Sequence, residues 1–405
     1  MKRALGCLIL VVVLAGSSVS LTWEQAVKAA EDSSELKSAR KELESSEWSY
    51  KTAASAFMPQ LSANASMTET TSSTSPARSY AYGLSATQYL FKGMAGVYGI
   101  QSAYADVEYK RASLRSAQAS VYYDLRSAFI DLLYTQENIK LLENILKQRK
   151  ENSSLIQLRY ESGKEDKGNL MTTQAEQAQA KYDLSSAKRD LKLAKLKISQ
   201  LLSKNVRSAD EKINFTAPAG TDFDKLLGEV PSYVMAEKLL ESSELSFKST
   251  ISGFLPSVYL NGSLSKRGND WPPDGDTNSW SLNLSYPFFP GGSNVTDRAA
   301  KSAQLDGARE EFIKQAKALR YSLEEAFEAF NDAIESLRVS DVSLAATGER
   351  ARIIEAKYLN GLAIYDEWYR IENNYINSRK GLLNSKKQAL LAEAAWHQSY
   401  GGFVK

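Results

Sequence analysis

Few residues in this chain have the types and spacing that catalysis requires. His397 is the only histidine, so a Ser-His-Asp triad or a histidine metal cluster has one copy to draw on. Cys7 is the only cysteine, and it lies in an N-terminal apolar run. Gly93-Met94-Ala95-Gly96 lacks the spacing and the strand context of a phosphate-cradling loop. Acids are plentiful, yet none forms a pair that stands apart from the i, i+4 charge pattern of exposed helices. No active site and no cofactor are therefore expected. What remains is a cluster that follows Gly361: the acids Asp366 and Glu367 among the rings of Tyr365, Trp368 and Tyr369. Acids in a first turn favour a helix N-terminus, whereas carboxylates gathered at a constriction bind cations. Three large rings at an otherwise polar helix tip suit an interface anchor or packing between neighbouring helical hairpins.

The elements that must position this cluster are written twice. Phe57, Pro59, Asn64 and Ser66 recur 197 residues later as Phe254, Pro256, Asn261 and Ser263, and the same offset carries Tyr89 and Phe91 onto Tyr286 and Phe288. Tyr160 and Gly163 return as Tyr358 and Gly361. A repeat this long is a duplicated structural half rather than a solenoid unit. It divides the chain into residues 1–20, a first repeat over 21–215 and a second over 216–405, the two repeats forming one domain.

Residues 1–20 read as a secretory signal peptide, with Lys2 and Arg3 before an apolar run and small residues at Ser18-Val19-Ser20. The formal charge of +2 includes Lys2 and Arg3, which leaves the mature chain neutral. That is too little positive charge for nucleic acid. Beyond the signal no uninterrupted apolar run is long enough for a spanning helix, so membrane insertion would require a β-barrel.

Residues 100–162 contain neither Gly nor Pro, a stretch of roughly 95 Å if helical. Leu125, Phe129, Leu132, Ile139, Leu142 and Leu146 fall at coiled-coil spacing, and Leu184, Ala187, Leu191, Ala194, Ile198 and Leu201 continue it on a returning helix. Gly163 and Gly361 each end a long helix in the usual left-handed cap. Each half is thus a very long antiparallel helical hairpin.

Before each long helix the period changes to two. Trp280, Leu282, Leu284 and Tyr286 alternate with Ser281, Asn283 and Ser285, and Val258, Leu260 and Leu264 with Asn261 and Ser263. Leu61, Ala63, Ala65 and Met67, then Tyr80, Tyr82, Leu84 and Ala86, echo this in the first half. Two β-hairpins follow, over about 57–91 and 254–289. Four strands cannot close a barrel, and closure is compulsory in lipid. Either several chains complete one barrel or the strands form a soluble sheet. Tyr80, Tyr82, Tyr89, Phe91, Trp280, Tyr286, Phe288 and Phe289 near the strand ends suit interfacial girdles.

In this order and duplication the chain resembles the outer-membrane efflux protein (TolC) family. The helix entered at Leu21-Thr22-Trp23-Glu24-Gln25-Ala26, the strand entrance Phe57-Met58-Pro59-Gln60-Leu61 and the Tyr-x-x-Gly turns carry the resemblance across the mature chain. It implies a mainly α protein with a small β part, whose duplicated hairpins form an α-barrel. Its four transmembrane strands per chain would complete a 12-stranded barrel in a homotrimer. It also implies an outer-membrane exit duct of a tripartite efflux pump or type I secretion system, with a periplasmic tunnel. Its partners would be a periplasmic adaptor protein, an inner-membrane transporter and outer-membrane lipid. The tips, residues 159–170 and 357–369, would dock the adaptor through Gly163, Gly361, Tyr365, Trp368 and Tyr369 and close the channel. Glu367, with Asp366 beside it, matches the position of an acid that narrows the entrance in the family. Asn169 replaces that acid in the first tip, and Arg370 stands where a further acid is common. A soluble periplasmic coiled-coil adaptor or structural protein is the alternative.

Overall fold

The computed structural model describes residues 21–70, 77–210 and 220–403; the signal-peptide expectation lies outside them. The first half runs through α1 (Trp23–Ala30), α2 (Ser34–Ser55), β1 (Gln60–Thr70), β2 (Ala77–Lys92), α3 (Ala95–Glu161) and α4 (Lys167–Leu202). The second repeats the series as α5 (Phe223–Leu227), α6 (Pro231–Ser249), β3 (Ser257–Gly268), β4 (Gly275–Ser285), α7 (Ser293–Leu359) and α8 (Tyr365–Ser399). Among the described residues no helix is long and apolar enough to cross a membrane.

The two spines α3 and α7 are each 67 residues long, about 100 Å of helix. Both begin after a left-handed residue, Met94 at φ 71° and Gly292 at φ 82°, where the chain turns sharply out of the sheet. Below the sheet α2 packs on α3, and α6 fills the space between α3 and α7. Farther down, α4 takes the place of α2, and α8 lies against both α3 and α7. The wall is therefore four helices wide at either level, matching the four strands above.

The seam of the first hairpin follows the expected spacing over most of its length. Leu125, Phe129, Leu132, Leu142, Ala187, Ala194 and Ile198 are buried. At its end the pattern shifts, for Leu201 is exposed and Leu202 is buried instead. A straight helix of 3.6 residues per turn drifts against a 3.5-residue repeat, and Ile198 to Leu202 takes up that drift. Alanines at 180, 187 and 194 keep the facing backbones close. Trp23 of α1 closes this core, its ring 5.7 Å from Phe129 in an edge-on contact.

The sheet is antiparallel throughout, in the order β1-β2-β3-β4, with both outer edges unpaired by the chain itself. Register puts Leu61, Ala86, Gly262 and Trp280 in one row and Ala63, Leu84, Leu264 and Asn278 in the next. This face is apolar and open, with Leu61 and Trp280 each 80% exposed. The opposite face carries neutral polar groups, among them the hydroxyl pairs Ser62–Ser85 at 2.7 Å and Ser263–Ser279 at 2.8 Å. Two expected girdle residues depart from the pattern, and the first, Trp280, falls in the middle of β4 rather than near its end. The second, Tyr89, lies opposite Tyr259, on the Ser/Asn side of the sheet. A register shift between Tyr89 and Phe91 then returns Phe91 to the apolar face opposite Val258.

Candidate functional site

The two tips are built alike from local sequence. In the first, Gly163 at φ 71° donates its N–H to the Tyr160 carbonyl at 3.0 Å, and Lys164 donates to Arg159 at 2.8 Å. In the second, Gly361 at φ 72° donates to Tyr358 at 3.0 Å, and Leu362 to Lys357 at 2.8 Å. These paired bonds satisfy the last helix carbonyls, and only a residue without Cβ adopts this backbone freely. Asp166 caps α4 through a 2.9 Å bond from Asn169 N–H. No side chain caps α8, so Asp366 and Glu367 sit in a first turn with free N–H groups to neutralise.

Between the tips lies a continuous chain of contacts. Arg159 of α3 donates to the Tyr358 and Leu359 carbonyls at 2.9 and 3.2 Å, and its guanidinium sits 4.3 Å from the centre of the Tyr358 ring. The Tyr358 hydroxyl donates to Glu165 at 2.5 Å. Burial and that carboxylate both push the phenol well above its ordinary range. The Tyr358 ring stacks on Trp368 at 4.7 Å, Trp368 meets the edge of Tyr365, and Tyr365 stacks on Tyr369. Ile156, Leu170, Ile354 and Ile371 complete this apolar knot of four helices.

Behind the rings is a buried ionic cluster. Arg149 of α3 reaches Glu176 of α4 at 3.0 Å and Glu372 of α8 at 3.7 Å, and also donates to Asn373. Asn152 donates to Glu372 at 2.5 Å, and the Tyr369 hydroxyl donates to Glu176 at 2.6 Å. Burial raises the Glu372 carboxyl above its ordinary value, with Arg149 opposing. The cluster ties α8 to both helices of the first hairpin.

These positions sort the expected site residues. Tyr365 and Trp368 are buried within the chain, and Tyr369 is half-buried. They are not surface anchors here; they realise the alternative, packing between hairpins, because each ring finds another ring or an aliphatic side chain across the seam. Asp366, Glu367 and Arg370 are exposed. The exposed apolar groups of the tips are Leu158, Met171, Leu359, Leu362 and Ile364. Sequence reasoning missed Arg149, Glu176 and Glu372. A usable signal existed: Arg149 follows Leu142 and Leu146 at seam spacing, where a charge needs a partner.

The flanks of the wall are also informative. At tip level the lateral order is α4, α3, α8, α7. Tyr182, Leu193 and Leu196 recur on one uncovered face of α4, and Ile313, Tyr321, Val339, Val342 and Ile353 on one uncovered face of α7. The unpaired edges of β1 and β4 lie at the top of the same molecule.

A family model described as "Outer membrane efflux protein" matches residues 26–204 and 223–402. No curated protein sequence matches significantly. Among solved structures, the chain is similar to CusC with a TM-score of 0.86 and 15% identity, covering 95% of this chain and 93% of that one. The outer membrane protein VceC of Vibrio cholerae gives 0.84 and 16%, covering 95% and 97%. The MtrE outer membrane channel of Neisseria gonorrhoeae, in its open state, gives 0.83 and 17%, covering 94% and 89%.

Proposed function

The chain belongs to the outer membrane efflux protein family, and from that premise we propose that three copies assemble edge to edge into the exit duct of an efflux pump. The observation that carries this reading is that the wall is unfinished on both flanks at every level. An unpaired β1 and an unpaired β4 demand a partner strand in lipid. The apolar stripes on α4 and α7 demand a partner helix. Joining β4 of one copy to β1 of the next, and α7 to α4, meets these demands with a heterologous contact that closes as a ring. The apolar sheet face then meets lipid, while the Ser/Thr/Asn face, which also carries Arg267, lines a polar lumen through which cargo moves without chemistry.

The tips serve as the gate and as the dock for a periplasmic adaptor, through which the duct meets an inner-membrane transporter. Gly163 and Gly361 fix the turns, and Leu359, Leu362 and Ile364 offer the apolar contact. Three copies of Asp366 and Glu367 form rings of like charge that repel one another and attract cations. The unpaired sheet edges and the open apolar face disfavour a soluble adaptor. Native mass in mild detergent tests the assembly: a trimer from the outer-membrane fraction is expected, and a monomer recovered without detergent overturns it.

A further inference from the structure

The two flanks of the wall carry opposite charge. Over residues 188–197, α4 has five cations, Lys188, Arg189, Lys192, Lys195 and Lys197, and one acid, Asp190. Over residues 324–335, α7 has five acids, Glu324, Glu325, Glu328, Asp332 and Glu335, and no cation. We propose that Asp332 and Glu335 of one copy pair with Arg189 and Lys192 of the next, so that charge as well as apolar area joins α7 to α4 around the ring. Such pairing rests on the ring assembly proposed above and decides which flanks join.

Helical spacing puts these groups on the uncovered flanks. Arg189 stands seven residues after the exposed Tyr182 and seven before the exposed Leu196, about two helical turns each way, so the three share one face. On α7, Glu328 and Glu335 stand at steps of seven between the exposed Tyr321 and Val342, and Asp332 lies one turn from each. Arg189, Lys192, Asp332 and Glu335 are all exposed. Lys188 and Lys197 are committed to Glu143 and Asp131 of α3 at 3.7 and 3.8 Å. Among the described residues, none of the four proposed partners makes an ion pair within its own chain.

The charges also stand at one height. The contacts of Lys188 with Glu143 and of Lys197 with Asp131 place the basic segment of α4 beside residues 131–143 of α3. The spines α3 and α7 are in step at an offset of 198, the one that takes Tyr160 to Tyr358. At the tips Arg159 sits on the Tyr358 ring, and near the sheet Tyr98 and Ser102 line one cavity with Asn294, Asp297 and Lys301. Residues 131–143 are therefore level with 329–341 of α7, the stretch that holds Asp332 and Glu335. A rotation about the duct axis preserves height, so these acids meet the cations of the next copy. The same charges oppose the wrong joints: α4 against α4 brings cations together and α7 against α7 brings acids together. Head-to-tail closure is what remains.

The test follows the trimer–monomer equilibrium of the full-length protein in mild detergent by native mass. The variants are Arg189→Glu with Lys192→Glu, Asp332→Lys with Glu335→Lys, and all four changes together. Each double reversal should weaken a joint about tenfold and the three joints of the ring roughly a thousandfold, and the fourfold variant should return close to the unaltered protein. Salt separates charge from misfolding: about 0.5 M NaCl should weaken the unaltered trimer and strengthen both double variants, since screening acts on attraction and repulsion alike. Unchanged assembly in both double variants, or no recovery in the fourfold one, would overturn the charge pairing while the trimer stands. A monomer from the unaltered protein would overturn the ring and the pairing with it.

Discussion

Replacing Arg149 by methionine removes the cation that α4 and α8 share while keeping much of the side-chain volume. At an effective dielectric of about 20, its pairs at 3.0 and 3.7 Å amount to about 5.5 and 4.5 kcal/mol of attraction. Desolvation of the guanidinium offsets part of this, and stranding buried carboxylates by removing their partner costs about 3–5 kcal/mol. Opening of the tip should therefore become more frequent by roughly two to three and a half orders of magnitude. Hydrogen exchange of the backbone amides in residues 365–376 of the detergent-solubilised assembly reads this directly. The pH dependence has a definite sign. Burial already raises the Glu372 carboxyl, and losing Arg149 raises it further. A carboxyl with a raised folded-state pKa stabilises below its unfolded value, and that contribution is lost as pH rises through the folded value. The variant should thus come closest to normal at acid pH, where the Glu372 carboxyl is protonated, and be most loosened at alkaline pH. Adding Glu372→Gln to Arg149→Met should recover much of the loss at the higher pH. Unchanged exchange at acid and at alkaline pH, or loosening that grows toward acid, would refute the reasoning.

Replacing Asp366 and Glu367 together by Ala should raise the resting conductance in planar bilayers and weaken its block by cations, and an unchanged conductance would reject the gate role. At Gly361, φ 72° with open space around the missing Cβ, valine should cost about 1–3 kcal/mol in backbone strain and asparagine less, seen as faster exchange at the second tip. Trp280→Arg on the apolar sheet face should cost about 2–4 kcal/mol if it meets the bilayer midplane and reduce the trimer recovered from outer membranes. Ser281→Arg on the opposite face should leave that recovery unchanged, and equal losses would show that the two faces are assigned wrongly.

Much of this architecture was legible in the residues alone. The 197-residue repeat, the Gly-free run over 100–162 and the two-residue period of Trp280, Leu282 and Leu284 are one-dimensional patterns, and helices and strands obey one-dimensional periods. Gly163 and Gly361 announced the turns because a left-handed cap is a local backbone demand. Register and partnership were different, because they depend on which distant side chains meet. No period says that Tyr89 turns to the polar face before a bulge, or that the seam leaves Leu201 for Leu202. Nor could spacing decide that Tyr365 and Trp368 are buried rather than displayed, since a helix tip looks the same until the second hairpin is laid against it. The ionic cluster shows this most clearly: Arg149, Glu176 and Glu372 are far apart in the chain, and each alone reads as an ordinary charged helix residue. Only tertiary packing buries Arg149 and Glu372, half-buries Glu176 and makes their pairing a condition of the tip's shape.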